Sequence, residues 1–312
     1  MTMIRHPLKA FPKWENHQYM KGFGCDAGEI TPFVFKGRRY RVENIMYHSI
    51  ADKPVGFNFQ EDHFRIRDEE TGRPVSHPLV GYYFATAHVL NDKVYVFASD
   101  LGPRTKPVWK CQRIIVITST DLISWTAPQT VLEADHENLF NNSVTTDGKR
   151  FYMVYESDDS RYPIFTAKFA VSDDLFHWQK IEGGIYAKDK YLGGPALAYC
   201  APWFYLTYVN CIHEPSPNGD PEYYDTRIAR TKDFIHWEEP PADRPVLSPD
   251  FTHEINPDHP GIYERNASDA EFIEADGKVK VYYNGGNQLG LMDNQTAEYP
   301  GTLKMLFESF FQ

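Results

Sequence analysis

Apolar residues recur at every second position through many short stretches of this chain. Tyr95 and Phe97 follow the Asn91-Asp92 pair, and Phe151, Met153 and Tyr155 follow Asp147-Gly148. A period of two puts one face of a strand against a core. Five such stretches open with a turn signal: Lys36-Gly37-Arg38-Arg39-Tyr40, Asn91-Asp92-Lys93-Val94-Tyr95, Asp147-Gly148-Lys149-Arg150-Phe151, Ala201-Pro202-Trp203-Phe204-Tyr205 and Asp276-Gly277-Lys278-Val279-Lys280. Each predicts a hairpin. No long amphipathic helical pattern interrupts them, which argues against alternating βα units.

A second phrase follows three apolar, β-branched runs (114–118, 169–171 and 228–229). Its copies are Asp121-Leu122-Ile123-Ser124-Trp125, Asp174-Leu175-Phe176-His177-Trp178 and Asp233-Phe234-Ile235-His236-Trp237, at steps of 53 (121 to 174) and 59 residues (174 to 233). Each reads as a turn closing one strand and opening the next, and a repeat of this length is a supersecondary unit. Five repeated antiparallel sheets suit radial repetition, which leaves only short, protected edges. The predicted fold is all-β: a single domain over 1–312 forming a five-bladed β-propeller of four-stranded antiparallel blades. The blades are expected near 26–78, 82–132, 138–187, 192–248 and 266–307. A longer step between the fourth and fifth hairpins, 76 residues (201 to 277), marks 240–265 as an insertion rich in Pro and His. A two-sheet sandwich with look-alike hairpins is the competing architecture.

Composition narrows the partners. Lys and Arg total 32 against 43 Asp and Glu, a net charge of −11, which argues against a nucleic-acid polyanion and toward a small neutral molecule. The first residues lack an apolar stretch long enough for a signal peptide, and no segment is apolar enough to span a membrane, so the expected location is cytoplasmic. Cys25, Cys111, Cys200 and Cys211 show no CxxC spacing, so they read as reduced thiols rather than a zinc site or disulfide framework. Phosphate-cradling Gly loops, the GxSxG elbow and the HExxH helix are all absent. No cofactor is expected, a structural ion in the central channel being the one exception this reading allows.

In a propeller the innermost strand of each blade begins at the channel rim, and the loop between second and third strands opens on the same face. These segments should supply the site. The first type brings Asp26 and Glu29, His88, Asn141 and Asn142, Gly193-Gly194-Pro195, and then Asn266, Ser268, Asp269 and Glu271. The second brings the 104–113 loop with Trp109 and Arg113, the 156–162 run with Arg161, the long 210–227 loop with Glu222 and Tyr224, and the 284–288 run ending in Gln288. Carboxylates, amides and aromatics in combination are what saccharide recognition uses: planar hydrogen-bonding pairs for hydroxyls, an aromatic platform for the ring face, and two carboxyl groups for cleavage.

The repeated S-x-D-L-x-x-W turn, at Ser119 to Trp125 and Ser172 to Trp178, together with the D-G-K hairpins, resembles the five-bladed propeller glycosidases of glycoside hydrolase families 32, 43, 62, 68, 117 and 130. Those families carry an Asp at the start of the first innermost strand; eight residues before Gly37 this chain has Glu29, with Asp26 nearby. In family 43 a Glu-Gly-Pro opening the fourth blade supplies the general acid, whereas here Gly193-Gly194-Pro195 stands at that place. Asp269 lies eight residues before Gly277 in the fifth blade. The resemblance implies an intracellular, exo-acting, inverting glycoside hydrolase of a short oligosaccharide or glycoside. Glu29 or Asp26 would be base and Asp269 the acid or the charge that tunes it, with Glu222, Glu214, Glu137, Glu271, His88 and His213 as further proton-donor candidates. His88, Trp109, Arg113, Asn141, Asn142, Arg161, Tyr224, Asn266 and Gln288 would bind substrate. Two other readings stay open. A glycoside phosphorylase would use Arg104, Lys106, Lys110, Arg113 and Arg161 for phosphate, and a non-catalytic propeller would bind saccharide without turning it over.

Overall fold

The computed structural model describes residues 9–10, 27–45, 62–102, 110–162, 165–255, 261–288 and 292–312. A two-residue strand β1 (Lys9–Ala10) comes first, and four blades then follow in order along the sequence, each an antiparallel sheet of consecutive strands. Blade one is β2 (Ala27–Phe35), β3 (Arg38–Ile45), β4 (His63–Asp68) and β5 (Pro74–Val80). Blade two is β6 (Tyr82–Leu90), β7 (Lys93–Asp100), β8 (Arg113–Ser119) and β9 (Gln129–Glu133). Blade three is β10 (Leu139–Thr146), β11 (Phe151–Ser157), β12 (Thr166–Ser172) and β13 (Trp178–Tyr186). Blade four is β14 (Gly193–Cys200), β15 (Trp203–Ile212), β16 (Tyr223–Thr231) and β17 (Trp237–Glu238). Blade five, β18 (Ser268–Ala275), β19 (Lys278–Gly286) and β20 (Met292–Tyr299), takes its fourth strand from the other end of the sequence: Lys9 pairs with Glu298 and Ala10 with Ala297. The expected fourth strand of this blade, ending near 307, is not what stands there; residues 303–309 form a short helix α1 (Leu303–Ser309) capped by Thr302.

The hairpin turns follow their sequences. Lys36-Gly37, Asn91-Asp92 and Asp276-Gly277 each place both central residues at positive φ, the mirror-image turn whose twist matches that of the strands. The Trp turns are built alike. The Asp121 carboxylate accepts the Ile123 and Ser124 N–H groups at 2.8 and 2.7 Å, and Asp174 and Asp233 repeat this with the residues two and three further on. Ser119, Ser172 and Thr231 hydroxyls accept from the N–H groups of the Asp and of the residue after it. Leu122, Leu175 and Phe234 sit at φ near 65–70° and are buried, so core packing offsets their backbone strain.

Each Trp leans on the preceding blade. Trp125 joins the core shared by blades one and two, Trp178 meets Phe97 of blade two edge-on at 5.8 Å, and Trp237 lies 5.3 Å from Phe169 of blade three. Large apolar clusters fill the first four seams between blades. The seam between blades five and one differs. Among the described residues its apolar cluster comprises only Ile30, Ile45 and Tyr282 with Ile273 beside them, and ionic contacts supplement it: Arg39 to Asp276 at 2.6 Å, and Glu69 to the Tyr282 hydroxyl at 2.6 Å and Lys280 at 3.4 Å.

Candidate active site

Every innermost strand carries a β-bulge near its start, where register breaks at Ala27/Glu29, Tyr83/Thr86, Phe140/Asn142, Gly193/Ala196 and Ser268/Glu271. Phe84, Asn141, Gly194 and Asp269 at these bulges all have positive φ. A bulge re-aims the side chain it carries, and five of them ring the channel mouth. Neighbouring blades hold the bulges in place. Asn44 of blade one pairs with the Ala85 backbone, donating at 3.1 Å and accepting at 2.7 Å, while Asn142 of blade three donates to the Phe84 carbonyl at 2.8 Å and accepts from the Thr86 hydroxyl at 2.9 Å. Asn284 of blade five donates to the Gly28 carbonyl.

Inside the ring lies a small cavity lined by Glu29, Thr31, Asn44, Phe84, Ala85, Thr86, Asn141, Asn142, Gly194, Pro195, Asp269 and Glu271. Glu156, at the end of β11 opposite Phe140, reaches the same place: its Oε2 accepts from Asn141 Nδ2 at 3.0 Å and from the Gly194 N–H at 2.8 Å. Four carboxyl groups thus converge, and among the described residues no Lys, Arg or His lines the cavity. Burial, and then repulsion from Asp269, Glu156 and Glu271, holds Glu29 well above the usual carboxylate range. Burial raises Glu156 to about 7 against the two hydrogen bonds it accepts, and raises Glu271 to about 8 with help from Asp269. Asp269 is also raised by burial, but hydrogen bonds from the Ser268 hydroxyl at 2.5 Å and from Asn284 at 3.3 Å favour its ionised form. Groups this close titrate as a set.

Gly194 is the pivot of the cluster. A Cβ there would fall 2.2 Å from Asp269 Oδ1, and φ is +48°. Its backbone therefore lies between Asp269 on one side and Glu156, which takes its N–H, on the other. The fourth-blade position that lacks an acid in sequence is thus met by carboxyl groups from blades three and five. An arc of rings borders the site, running from Phe84 to Phe140 (5.6 Å between centroids), Phe165 (5.7 Å), Tyr191 (6.2 Å) and Tyr224 (6.2 Å).

The expected residues divide between this cavity and other places. Glu29, Asn141, Asn142, Asp269 and Glu271 line the one cavity. Asn142 does so with both ends of its amide committed to blade two, so it positions rather than binds. Gln288 donates to Asn266 at 2.9 Å, and Asn266 donates to the Ser268 hydroxyl at 2.9 Å, two steps behind Asp269. Tyr224 and Glu222 stand in the rim of blade four, joined at 2.7 Å. His88 is a correction. It lies four residues beyond Phe84, about 13 Å along the strand, with its ring against Phe151 at 5.6 Å and burial lowering its pKa to about 4. Innermost strands cross the whole channel, so membership of one does not place a residue at the mouth. Arg113 and Arg161 are taken up by Asp100 and Asp159, each at 2.6 Å, and Glu137 by Lys168. Asp26, Trp109, Arg104 and Lys106 lie outside the described residues, as does Cys25. Cys111, Cys200 and Cys211 form no disulfide. Among the described residues no helix is long and apolar enough to cross a membrane. Glu156 shows in the sequence only as part of a loop run; its position facing the blade-three bulge, a matter of register, is what makes it a site residue.

No protein-family profile and no curated protein matches the chain in sequence. Solved structures do resemble it. A structure described as an RGII complex superposes with a TM-score of 0.68 at 11% identity, over 95% of this protein and 92% of that one. A glycosyl hydrolase from Bacteroides ovatus gives 0.60 at 14% over 95% and 94%, and an alpha-L-arabinofuranosidase from Lactobacillus brevis gives 0.56 at 12% over 88% and 90%. The five-bladed propeller anticipated from the Trp turns and hairpins is therefore borne out, and the protein resembles glycoside hydrolase propellers without being placed in any single family.

Proposed function

We propose that this protein is a glycoside hydrolase that cleaves a short saccharide at the channel mouth, with Asp269 as general base and Glu156 as general acid. The observation that carries the reading is the convergence of Glu29, Asp269 and Glu271 on one cavity, with Glu156 bonded to Asn141 and Gly194 of its lining, bordered by an aromatic arc and lined by no described basic residue. Cleavage of a glycosidic bond needs one carboxyl group that is ionised and one that keeps its proton. Asp269 is the member whose surroundings donate hydrogen bonds to the carboxylate without a neighbouring acid raising it further, which suits a base activating water. Glu156, near 7, holds a transferable proton at neutral pH, and both of its hydrogen bonds fall on Oε2, which leaves Oε1 to meet a leaving oxygen. Glu29, held well above the usual carboxylate range by burial and its acidic neighbours, then serves as a neutral donor to a substrate hydroxyl. This differs from the roles expected from sequence, where Glu29 or Asp26 was the base and Asp269 the acid or the charge that tunes it. Resemblance to the propeller glycosidases implies an inverting, exo-acting reaction.

The test is a panel of 4-nitrophenyl glycosides and short oligosaccharides, including α-L-arabinofuranosides and β-xylosides, assayed with and without inorganic phosphate. Phosphate-independent release, with inverted configuration in the first-formed sugar by NMR, is expected. Turnover that requires phosphate would replace hydrolysis by phosphorolysis. Saccharide binding with no product from any member would replace both by a binding propeller. Of the cations a phosphate site would use, the described Arg113 and Arg161 already hold carboxylates, which favours hydrolysis over phosphorolysis.

A further inference from the structure

We propose that the end of β15 and the loop joining it to β16 bind a zinc-class divalent cation through the Cys211 thiolate, the His213 imidazole and the Glu222 carboxylate. The three donor atoms are already spaced for it. Cys211 Sγ lies 3.7 Å from His213 Nδ1 and 3.6 Å from Glu222 Oε2, and His213 Nδ1 lies 3.3 Å from Glu222 Oε2. Tetrahedral zinc, with bonds of about 2.3 Å to sulfur and roughly 2.0–2.1 Å to nitrogen and oxygen, sets sulfur about 3.5 Å from the lighter donors and those about 3.3 Å from each other. The triangle matches one face of that tetrahedron to within about 0.2 Å, so a cation could settle on it with little rearrangement. Thiolate, imidazole and carboxylate together are a donor set for zinc, not for calcium or magnesium.

The surroundings support the ligands. The Tyr224 hydroxyl donates to Glu222 Oε1 at 2.7 Å, which fixes the carboxylate with Oε2 turned toward Cys211 and His213, as an outer partner of a metal ligand does. Three protein ligands leave a fourth position for water or a ligand oxygen. Binding would release the Cys211 proton to solvent as the thiolate forms. The site stands beside the carboxylate cluster, since Tyr224 lies 6.2 Å from Tyr191 and a Cβ at Gly193, next to Gly194, would fall 2.9 Å from the Tyr191 hydroxyl. A cation here would fasten the blade-four rim without entering the acid cavity. In the sequence this is hidden, because Cys211-x-His213 lacks a second cysteine or histidine and Glu222 follows nine residues after the His.

The experiment uses the full-length protein stripped with EDTA and titrated with Co²⁺, then with Zn²⁺. One equivalent of Co²⁺ should give tetrahedral d–d bands and a thiolate-to-cobalt charge-transfer band, both removed by one equivalent of Zn²⁺. Cys211→Ser should abolish the charge-transfer band, and His213→Ala should weaken Co²⁺ binding at least tenfold. The His213 side chain is 75% exposed, so that variant should fold even if Cys211→Ser does not. A pale, aqua-like spectrum without charge transfer would overturn the proposal, as would equal binding in wild type and His213→Ala. Neither outcome bears on hydrolysis, so the glycosidase reading is tested apart from it.

Discussion

At the scale of single residues, the site turns on the bare backbone of Gly194. Gly194→Ala would drive a methyl group into Asp269 Oδ1 and strain a positive φ, so hydrolysis should fall by roughly 10²-fold or more while the circular dichroism of the sheets persists. Glu156→Gln and Asp269→Asn should each lower kcat by roughly 10²–10⁴-fold. Glu29→Gln, which can still donate, should cost far less than Glu29→Ala; a Glu29→Gln variant as inactive as Asp269→Asn would return Glu29 to the role of base. The pH dependence follows from the direction of the shifts. Glu156 rises from an ordinary 4.5 to about 7, so the folded protein holds a proton that the unfolded chain has released. Its favourable contribution is complete below about pH 4.5 and is lost as the pH rises through 7. Thermal melts should show wild type and Glu156→Gln alike near pH 5, with the variant relatively more stable at pH 8. Activity should fall above about pH 7 as the acid loses its proton. Of these residues Glu29 and Asp269 are legible from their offset to the hairpin glycines. Glu156 is not, because its place depends on which residue of β10 it faces, and a bulge shifts that register by one.

At the scale of elements, the Trp turns are the most legible feature because they are chemically self-contained. A hydroxyl and a carboxylate satisfy the turn's own N–H groups, so the phrase can be read without knowing what surrounds it. The two-residue strands β1 and β17 are the opposite case: their pairing is decided wholly by the partner strand, and no periodicity can show in two residues. Trp178→Ala should test the turn's tertiary share. The indole is half-buried against Phe97, so the loss should be about 2–3 kcal/mol, below the 3–5 kcal/mol of a fully buried ring, as read from urea denaturation. Asp174→Ala acts locally and should cost about 1 kcal/mol by freeing two N–H groups on an exposed turn. If the order of the two losses were reversed, the turn rather than the seam would carry the repeat's stability.

At the scale of the whole molecule, and among the described residues, four seams are sealed by large apolar clusters and the fifth by a small one with ion pairs, on the edge where β1 completes blade five. The Arg39–Asp276 pair is exposed and so weakened by salt, and raising ionic strength should speed amide hydrogen exchange in β3 and β19 while leaving β11 and β15 unchanged. Uniform exchange in all five blades would show that the seams are equivalent. Among the described residues the seam between blades five and one is a link that relies on ion pairs and on the two-residue β1 beside its small apolar cluster. Glu29 stands on one side of that link, and Asp269 and Glu271 on the other. An opening that began at this seam would change the gap across the acid cluster before a single blade lost its own strands. Ionising more of these carboxyl groups would add repulsion across that gap, against which β1 would hold, so the protein's proton count and the tightness of its closure would be read from the same place.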